Sequence, residues 1–296
     1  MKRSKQLLGA VSTIALIAFS ASPALAGGST AGSSITNNVS VSFDVGGVTQ
    51  TAVTASNTFT VDRKIDVLVD FAGTAATSVA PGAQNQVLAF DVTNLSNAVV
   101  DIRLAAALNA GNAANIANFE VYRDTNGDRS LSAAELAAGP ITYLDEVAAD
   151  ATVAVIVIAD IGLGAVNGNE FDVVLTGTAR EGGTAGTQGA AITQTAGANT
   201  AGVDTVFTDG AGTTDAARDG AYSDVGKYVV AGATMSVSKT SRIVSDPVNG
   251  PTNPKAIPGA TIEYCIVVSN AAGGATGTNI DVNDDLPADV SYLTAF

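Results

Sequence analysis

One twelve-residue stretch carries side chains whose types and spacing can hold a metal ion. From Asp124 to Glu135 the chain reads DTNGDRSLSAAE. Oxygen-bearing residues occupy loop positions 1, 3, 5, 7, 9 and 12, in the order Asp124, Asn126, Asp128, Ser130, Ser132 and Glu135. Oxygen donors at these intervals form a ligand set that proteins use for Ca²⁺. We therefore predict a calcium site in which Ser130 offers its backbone carbonyl, Ser132 binds directly or through water, and Glu135 offers both carboxylate oxygens.

The stretch follows the order of an EF-hand loop, with two departures. Arg129 stands at position 6, where the sharp backbone turn normally requires Gly, and a left-handed backbone costs a non-glycine residue on the order of 1 kcal/mol. Residues 119–123 alternate as a strand, so no incoming helix is predicted. We expect a structural calcium brace on a β scaffold rather than a sensor. The alternative is a polar turn that binds no metal.

The first residues have the pattern of a secretory signal peptide. Lys2, Arg3 and Lys5 precede an apolar run over 7–19, and Ala24-Leu25-Ala26 forms a small-residue cleavage site. Removal of residues 1–26 takes away three cations and no acid, which changes the net charge from −14 to −17. So acidic a surface disfavours nucleic acid and anionic lipid as partners. We expect a secreted or surface-attached protein with no transmembrane span after cleavage.

Composition argues against an enzyme. The chain has no His, so Ser-His and Cys-His catalytic arrangements and His-ligated zinc sites are excluded. The single Cys, Cys265, cannot form an internal disulfide, and its position within a strand pattern predicts a small core residue. No catalytic residues are predicted.

The rest of the chain predicts an all-β protein of antiparallel sandwich modules. Residues 27–63 are predicted as an N-terminal β-hairpin arm and residues 64–180 as a β-sandwich that carries the calcium loop. Residues 153–158 are continuously apolar, which is typical of a central strand buried on both faces. Residues 181–234 are rich in Gly, Ala, Thr and Asp and are predicted as a linker or an insertion on the sandwich.

Residues 235–296 carry several motifs in order: Lys239, Pro258-Gly259, Tyr264, Asn270, Asp284-Asp285-Leu286-Pro287 and Tyr292. This order resembles the bacterial surface "conserved repeat domain", domain of unknown function 11. The resemblance implies immunoglobulin-like sandwich modules in tandem and implies no enzymatic activity. Such a module needs closing strands beyond Phe296, so we expect this one to be incomplete. A weaker internal repeat relates Pro81-Gly82-Ala83 and Asn94 to Pro258-Gly259-Ala260 and Asn270.

Together these features predict a secreted bacterial cell-surface protein with a structural or adhesive role, stabilised by calcium. Its expected partners are other surface proteins or copies of itself. Two alternatives stay open. One is a calcium-dependent recognition module for glycan or protein, for which Tyr122 and Tyr143 are the aromatic residues near the loop. The other is an accessory region of a larger secreted enzyme.

Overall fold

The computed structural model describes residues 28–271 and 275–293. The predicted signal peptide lies outside these residues. The strands are β1 Ser34–Val41, β2 Asp44–Val45, β3 Val48–Thr49, β4 Val53–Thr60, β5 Arg63–Ile65, β6 Val67–Phe71, β7 Thr77–Val79, β8 Gln86–Asn94, β9 Val100–Ala110, β10 Ile116–Arg123, β11 Tyr143–Val147, β12 Thr152–Ile161, β13 Glu170–Glu181, β14 Thr205–Phe207, β15 Ala221–Val230, β16 Met235–Ser245 and β17 Thr261–Asn270. A 3₁₀ turn, Ala113–Asn115, precedes β10, and one helix, α1 Ala133–Ala138, follows it. The prediction of an all-β fold is confirmed.

Two sheets face each other across one core. The first has the order β10-β12-β8-β6 and is antiparallel throughout. The second has the order β11-β9-β13-β15-β7, in which only the β15–β7 pair is parallel. Alternate residues of both sheets fill the space between them, including Phe90, Val157, Ile102, Phe171 and Tyr228. The immunoglobulin-like tandem arrangement stays a prediction.

The prediction of a central strand at residues 153–158 is confirmed, because β12 lies between β10 and β8 and residues 155–158 are buried, while residues 153 and 154 are partly buried. Val155 and Val157 belong to the core between the sheets, whereas Ile156 and Ile158 form a separate cluster on the opposite face. A strand with apolar side chains on both faces needs a cover on its outer side. The segment after β10 provides that cover.

The segment 181–234 contributes strands to the sandwich. β14 pairs in parallel with β5, and β15 lies between β13 and β7 in the second sheet. β15, Ala221–Val230, is an integral strand of the second sheet, so this part of 181–234 is not a linker. At Gly226 a Cβ atom would lie 2.8 Å from the Phe71 ring and 3.0 Å from Leu88, so the close approach of the two sheets requires glycine there.

Two hairpins form two-stranded sheets of their own, separate from the two sheets of the sandwich. β1 pairs with β4, as the sequence predicts, and β16 pairs with β17. Cys265 lies on β17 and is exposed, so the expectation of a core position was wrong. The reason is that β16 and β17 form a two-stranded sheet with no second strand layer among the described residues. Within those same residues, no helix combines the length and apolar character that a membrane span requires.

Candidate metal-binding loop

The predicted calcium loop connects the edge strand β10 to helix α1. β10 ends at Arg123, and Ser132 is the N-cap of α1. The Ser132 Oγ accepts a hydrogen bond from the Glu135 backbone N–H at 3.3 Å, and Glu135 Oε2 accepts one from the Ser132 N–H at 2.9 Å. This reciprocal capping box fixes the start of the helix and so fixes positions 9 and 12 of the loop relative to each other.

The first half of the loop is held by side-chain oxygens that accept backbone N–H groups. Asp124 accepts from Gly127 at 2.7 Å through Oδ1 and from Arg129 at 3.1 Å through Oδ2. Asn126 Oδ1 accepts from the Asp128 N–H at 3.0 Å, and Asp128 Oδ1 accepts from the Ser130 N–H at 2.8 Å. Each oxygen therefore turns back towards the backbone of its own loop, which keeps the side chains at positions 1, 3 and 5 ordered.

Glu135 is the most buried carboxylate of the loop, at 3% exposure. Its Oε1 accepts from the Thr125 N–H at 2.7 Å and from the Thr125 hydroxyl at 3.1 Å. The backbone N–H groups of Ser132 and Thr125, in that order of effect, lower the pKa of Glu135 to about 2. Glu135 is therefore ionised at neutral pH and connects the two ends of the loop.

Arg129 occupies the tight turn at position 6 with a φ of 62°. This left-handed backbone is what the EF-hand order requires there, so the strain predicted from a non-glycine residue is present. The Arg129 guanidinium donates to both oxygens of Asp91 on β8, at 2.8 and 3.0 Å. The residue that departs from the pattern thus ties the loop to the sheet beneath it.

Leu131 at position 8 packs over the outer face of the first sheet. It contacts a small apolar cluster formed by Tyr122 of β10, Ile156 and Ile158 of β12, and Val87 of β8. Tyr122, Ile156 and Ile158 are almost fully buried. The loop therefore covers the outer face of the sheet whether or not it also holds a metal.

The donor set of the loop is chemically suited to Ca²⁺. Asp124 is buried at 6% exposure, and among the described residues neither Asp124 nor Glu135 forms an ion pair with Lys or Arg. The structure brings all six predicted residues into one loop. It does not, however, gather the carboxylates of Asp124, Asp128 and Glu135 within 4.8 Å of one another, because they accept backbone N–H groups instead.

A second acidic cluster was not predicted from the sequence. Ligand oxygens of Asp101, Asp145 and Glu146 all lie within 4.8 Å of one another, and this is the one such group of three in the described part of the chain. Asp101 lies on β9 and is fully buried, and the other two lie on the neighbouring strand β11. The one sign of this cluster in the sequence is Asp101, a charged residue within the apolar pattern of β9. The pairing of β9 with β11 could not be read from local sequence.

The oxygens of this cluster accept backbone N–H groups from two segments. Asp101 accepts from Glu146 at 2.9 Å and from Gly189 at 2.8 Å. Gly186 donates to Asp145 at 2.9 Å, and Gly183 and Thr184 donate to Glu146. The cluster therefore holds the turn at residues 183–189 against β9 and β11.

The aromatic residues expected near the loop differ in accessibility. Tyr122 is buried beneath Leu131, with its hydroxyl donating to Glu120 at 2.7 Å, so it is not available to a ligand. Tyr143 is half-buried in a shallow hollow that also includes Arg123, Ile141 and Asp145. A second shallow hollow beside the loop is lined by Arg123, Asp124, Thr125, Thr152, Val153 and Ala154.

The C-terminal motif residues contact one another. Lys239 Nζ lies 2.6 Å from Asp284 Oδ1 and 4.7 Å from the centre of the Tyr264 ring. Asn270 accepts from the Thr234 N–H at 3.0 Å and donates to the Ala275 carbonyl at 2.7 Å. The motif therefore joins the hairpin of β16 and β17 to the segment that follows it.

No protein-family model matches the chain, and no curated protein matches it.

Proposed function

We propose that this protein is a structural or adhesive component of a bacterial cell surface, built of β-sandwich modules, with calcium bound at 124–135 as a brace. The observation that carries the proposal is the arrangement of the loop. Positions 1 to 12 run from an edge strand into a capped helix, with a left-handed residue at position 6 and a buried carboxylate at position 12. These are the features that an EF-hand loop requires of its backbone.

Several contacts support a bracing role rather than a signalling one. α1 has six residues and is followed by Gly139 with a φ of 86°, so it is short and has no incoming helix with which to form an opening pair. Leu131 and Arg129 hold the loop against β12 and β8. When bound, calcium would neutralise the carboxylates of Asp124, Asp128 and Glu135. The residues of the chain hold these groups in place and cover the sheet.

The surface role rests on the sequence features and on the C-terminal motif. The contacts of Lys239 with Asp284 and Tyr264 support the idea that the motif residues form one structural unit, as the resemblance to the conserved repeat domain implies. In both proposed repeats, the Asn that ends one strand lies opposite the first residue of the strand paired with it. Asn94 lies opposite Val67 at the start of β6, and Asn270 lies opposite Met235 at the start of β16.

Thermal melting with calcium and with chelator tests the brace. An affinity in the extracellular range of about 10⁻⁴ to 10⁻³ M would stabilise the protein by roughly 1–3 kcal/mol at about 10 mM calcium. For a chain of this size the melting temperature should then rise by about 2–12 °C. Asp124→Asn should remove the rise, because it weakens the first ligand and keeps the side-chain shape.

The matched control is Asp145→Asn, which changes the other acidic cluster. It should lower the starting stability but leave the calcium-induced rise intact. If the calcium-induced rise in melting temperature persists in Asp124→Asn and disappears in Asp145→Asn, calcium binds at the second acidic cluster instead. No rise in the unmodified protein would refute calcium binding altogether.

Protease treatment of intact cells tests the surface role separately. A surface protein should be cleaved by added protease while a cytoplasmic marker stays intact. Resistance to protease in intact cells, with cleavage only after lysis, would contradict it.

A further inference from the structure

The N-terminal hairpin, formed by β1 and β4, has two chemically different faces. Directly opposite residues of an antiparallel pair share a face, so the register shows on which face of the hairpin each side chain lies. One face carries Ser34, Thr36, Asn38 and Ser40 opposite Thr60, Thr58, Ser56 and Thr54. The other carries Ile35, Asn37, Val39 and Val41 opposite Phe59, Asn57, Ala55 and Val53. The hairpin is therefore polar on one side and predominantly apolar on the other.

Neither face is covered by the rest of the described chain. Every residue of β1 is exposed, as is every residue of β4 except Thr60. The large apolar side chains of the face and of the hairpin tip are 38–63% exposed; they are Ile35, Val39, Val41, Phe43, Val45, Val48, Val53 and Phe59. A two-stranded hairpin in water is only marginally stable by itself. Contact with a partner would therefore stabilise the hairpin by removing its apolar face from water.

We propose that two copies of this chain associate through this face, related by a two-fold axis. Such a dimer would stack two hairpins face to face as a small four-stranded, two-layer sandwich, at the usual spacing of about 10 Å between sheets. A two-fold axis places the same surface on both partners, so a predominantly apolar face can pack against its own copy, and the Asn37–Asn57 pair within the face can hydrogen-bond to the same pair of the partner.

The exposed area fits a stable dimer. The five large apolar side chains of the face leave on the order of 400 Å² of apolar surface open, and the three at the tip bring the total to roughly 600–700 Å², more than the few hundred Å² that a monomer usually carries in one patch. This is close to the roughly 800 Å² that each partner of a stable protein interface buries.

Charge also favours a second copy at this position. The whole protein has a net charge of −14, but residues 34–60 contain one charged residue, Asp44, which lies in β2 near the tip. Two copies can therefore approach through the hairpins with little of the repulsion that their other surfaces produce. The hairpin has no Lys or Arg for an anionic membrane surface. The β16–β17 hairpin is a less suitable partner for the apolar face of the β1–β4 hairpin. Its apolar residues Val237 and Val268 lie on the same face as Lys239, and docking through that face would remove the Lys239 ammonium from water.

Sedimentation velocity of the purified protein, from about 1 to 100 µM, tests the proposal. The unmodified protein should pass from monomer to dimer and stop at two copies. Val39→Glu should weaken association by at least about 10-fold, because two carboxylates would meet in an apolar interface. Ser40→Glu is the matched control, on the same strand but on the polar face, and should change the dissociation constant by less than about 3-fold.

A second variant is needed because Val39→Glu could weaken the dimer by disrupting the hairpin itself. Phe59→Thr removes an aromatic side chain from the proposed interface, and Thr has a high β propensity that preserves the strand. It should also weaken the dimer by at least about 10-fold. A protein that stays monomeric at all concentrations would overturn the proposal, as would equal weakening by Ser40→Glu and Val39→Glu. Assembly beyond two copies would overturn it in favour of head-to-tail contact with the other hairpin. A monomer that binds neutral lipid vesicles through Val39 would assign the face to a membrane instead.

Discussion

Replacing Leu131 with Ala should destabilise the protein although the residue lies in a surface loop. Leu131 is half-buried and contacts the cluster of Tyr122, Ile156, Ile158 and Val87 on the outer face of the first sheet. Removal of a fully buried Leu side chain costs about 2–5 kcal/mol. A half-buried side chain on a segment that can partly close the gap should cost about half as much, roughly 1–2 kcal/mol. For a chain of this size that corresponds to a fall in melting temperature of about 2–8 °C.

Leu136→Ala provides the matched control for this experiment. Leu136 lies within α1, is more exposed than Leu131 at 49%, and is not part of this apolar cluster. Since Ala is at least as favourable as Leu in a helix, the control should change stability by less than about 0.5 kcal/mol. Both variants are compared by chemical denaturation monitored by circular dichroism. Equal effects of the two substitutions would refute the conclusion that the loop covers the sheet through Leu131.

Three further predictions concern the same loop. Arg129→Ala should destabilise by about 0.5–1 kcal/mol in denaturant titration through loss of the pair with Asp91, whereas Arg129→Gly should be near neutral because relief of the left-handed backbone offsets that loss. If Arg129→Gly is as destabilising as Arg129→Ala, the backbone at position 6 is not strained. Ser132→Ala should cost about 1 kcal/mol by removing the helix cap, and a stability equal to that of the unmodified protein would contradict the capping box. Glu135 has a folded-state pKa of about 2 against an ordinary value of 4.5, so its contribution is complete above pH 4.5 and is lost as pH falls towards 2. Unfolding free energy measured across this window should fall less steeply in Glu135→Gln, and an identical slope would contradict the hydrogen bonds assigned to its carboxylate.

The features that local sequence predicted are those that depend on neighbouring residues. The continuous apolar run predicted β12 as a buried strand, and the loop from Asp124 to Glu135 was identified because all its oxygen donors lie within twelve residues. These predictions required no knowledge of how distant strands pair.

The features that the sequence did not reveal depend on distant pairing. β15 contains Asp224 and Gly226, which weaken its strand pattern, yet Asp224 accepts from the Phe71 N–H at 2.7 Å and Gly226 admits the Phe71 ring. The cluster of Asp101, Asp145 and Glu146 forms only because β9 pairs with β11. The position of Cys265 was mistaken for a related reason. Its strand pattern indicated a buried face, but only a second layer of strands would bury it.

Hydrogen exchange of backbone amides, with and without calcium, tests the proposed brace most directly. The amides of Thr125, Gly127, Arg129 and Ser132 donate to the carboxylates that would hold the ion. Calcium bound there should slow exchange throughout residues 124–135 and leave residues 183–189, which are held by the other acidic cluster, unchanged. Unchanged exchange in 124–135 at about 10 mM calcium, or slowing confined to 183–189, would contradict a calcium site in this loop.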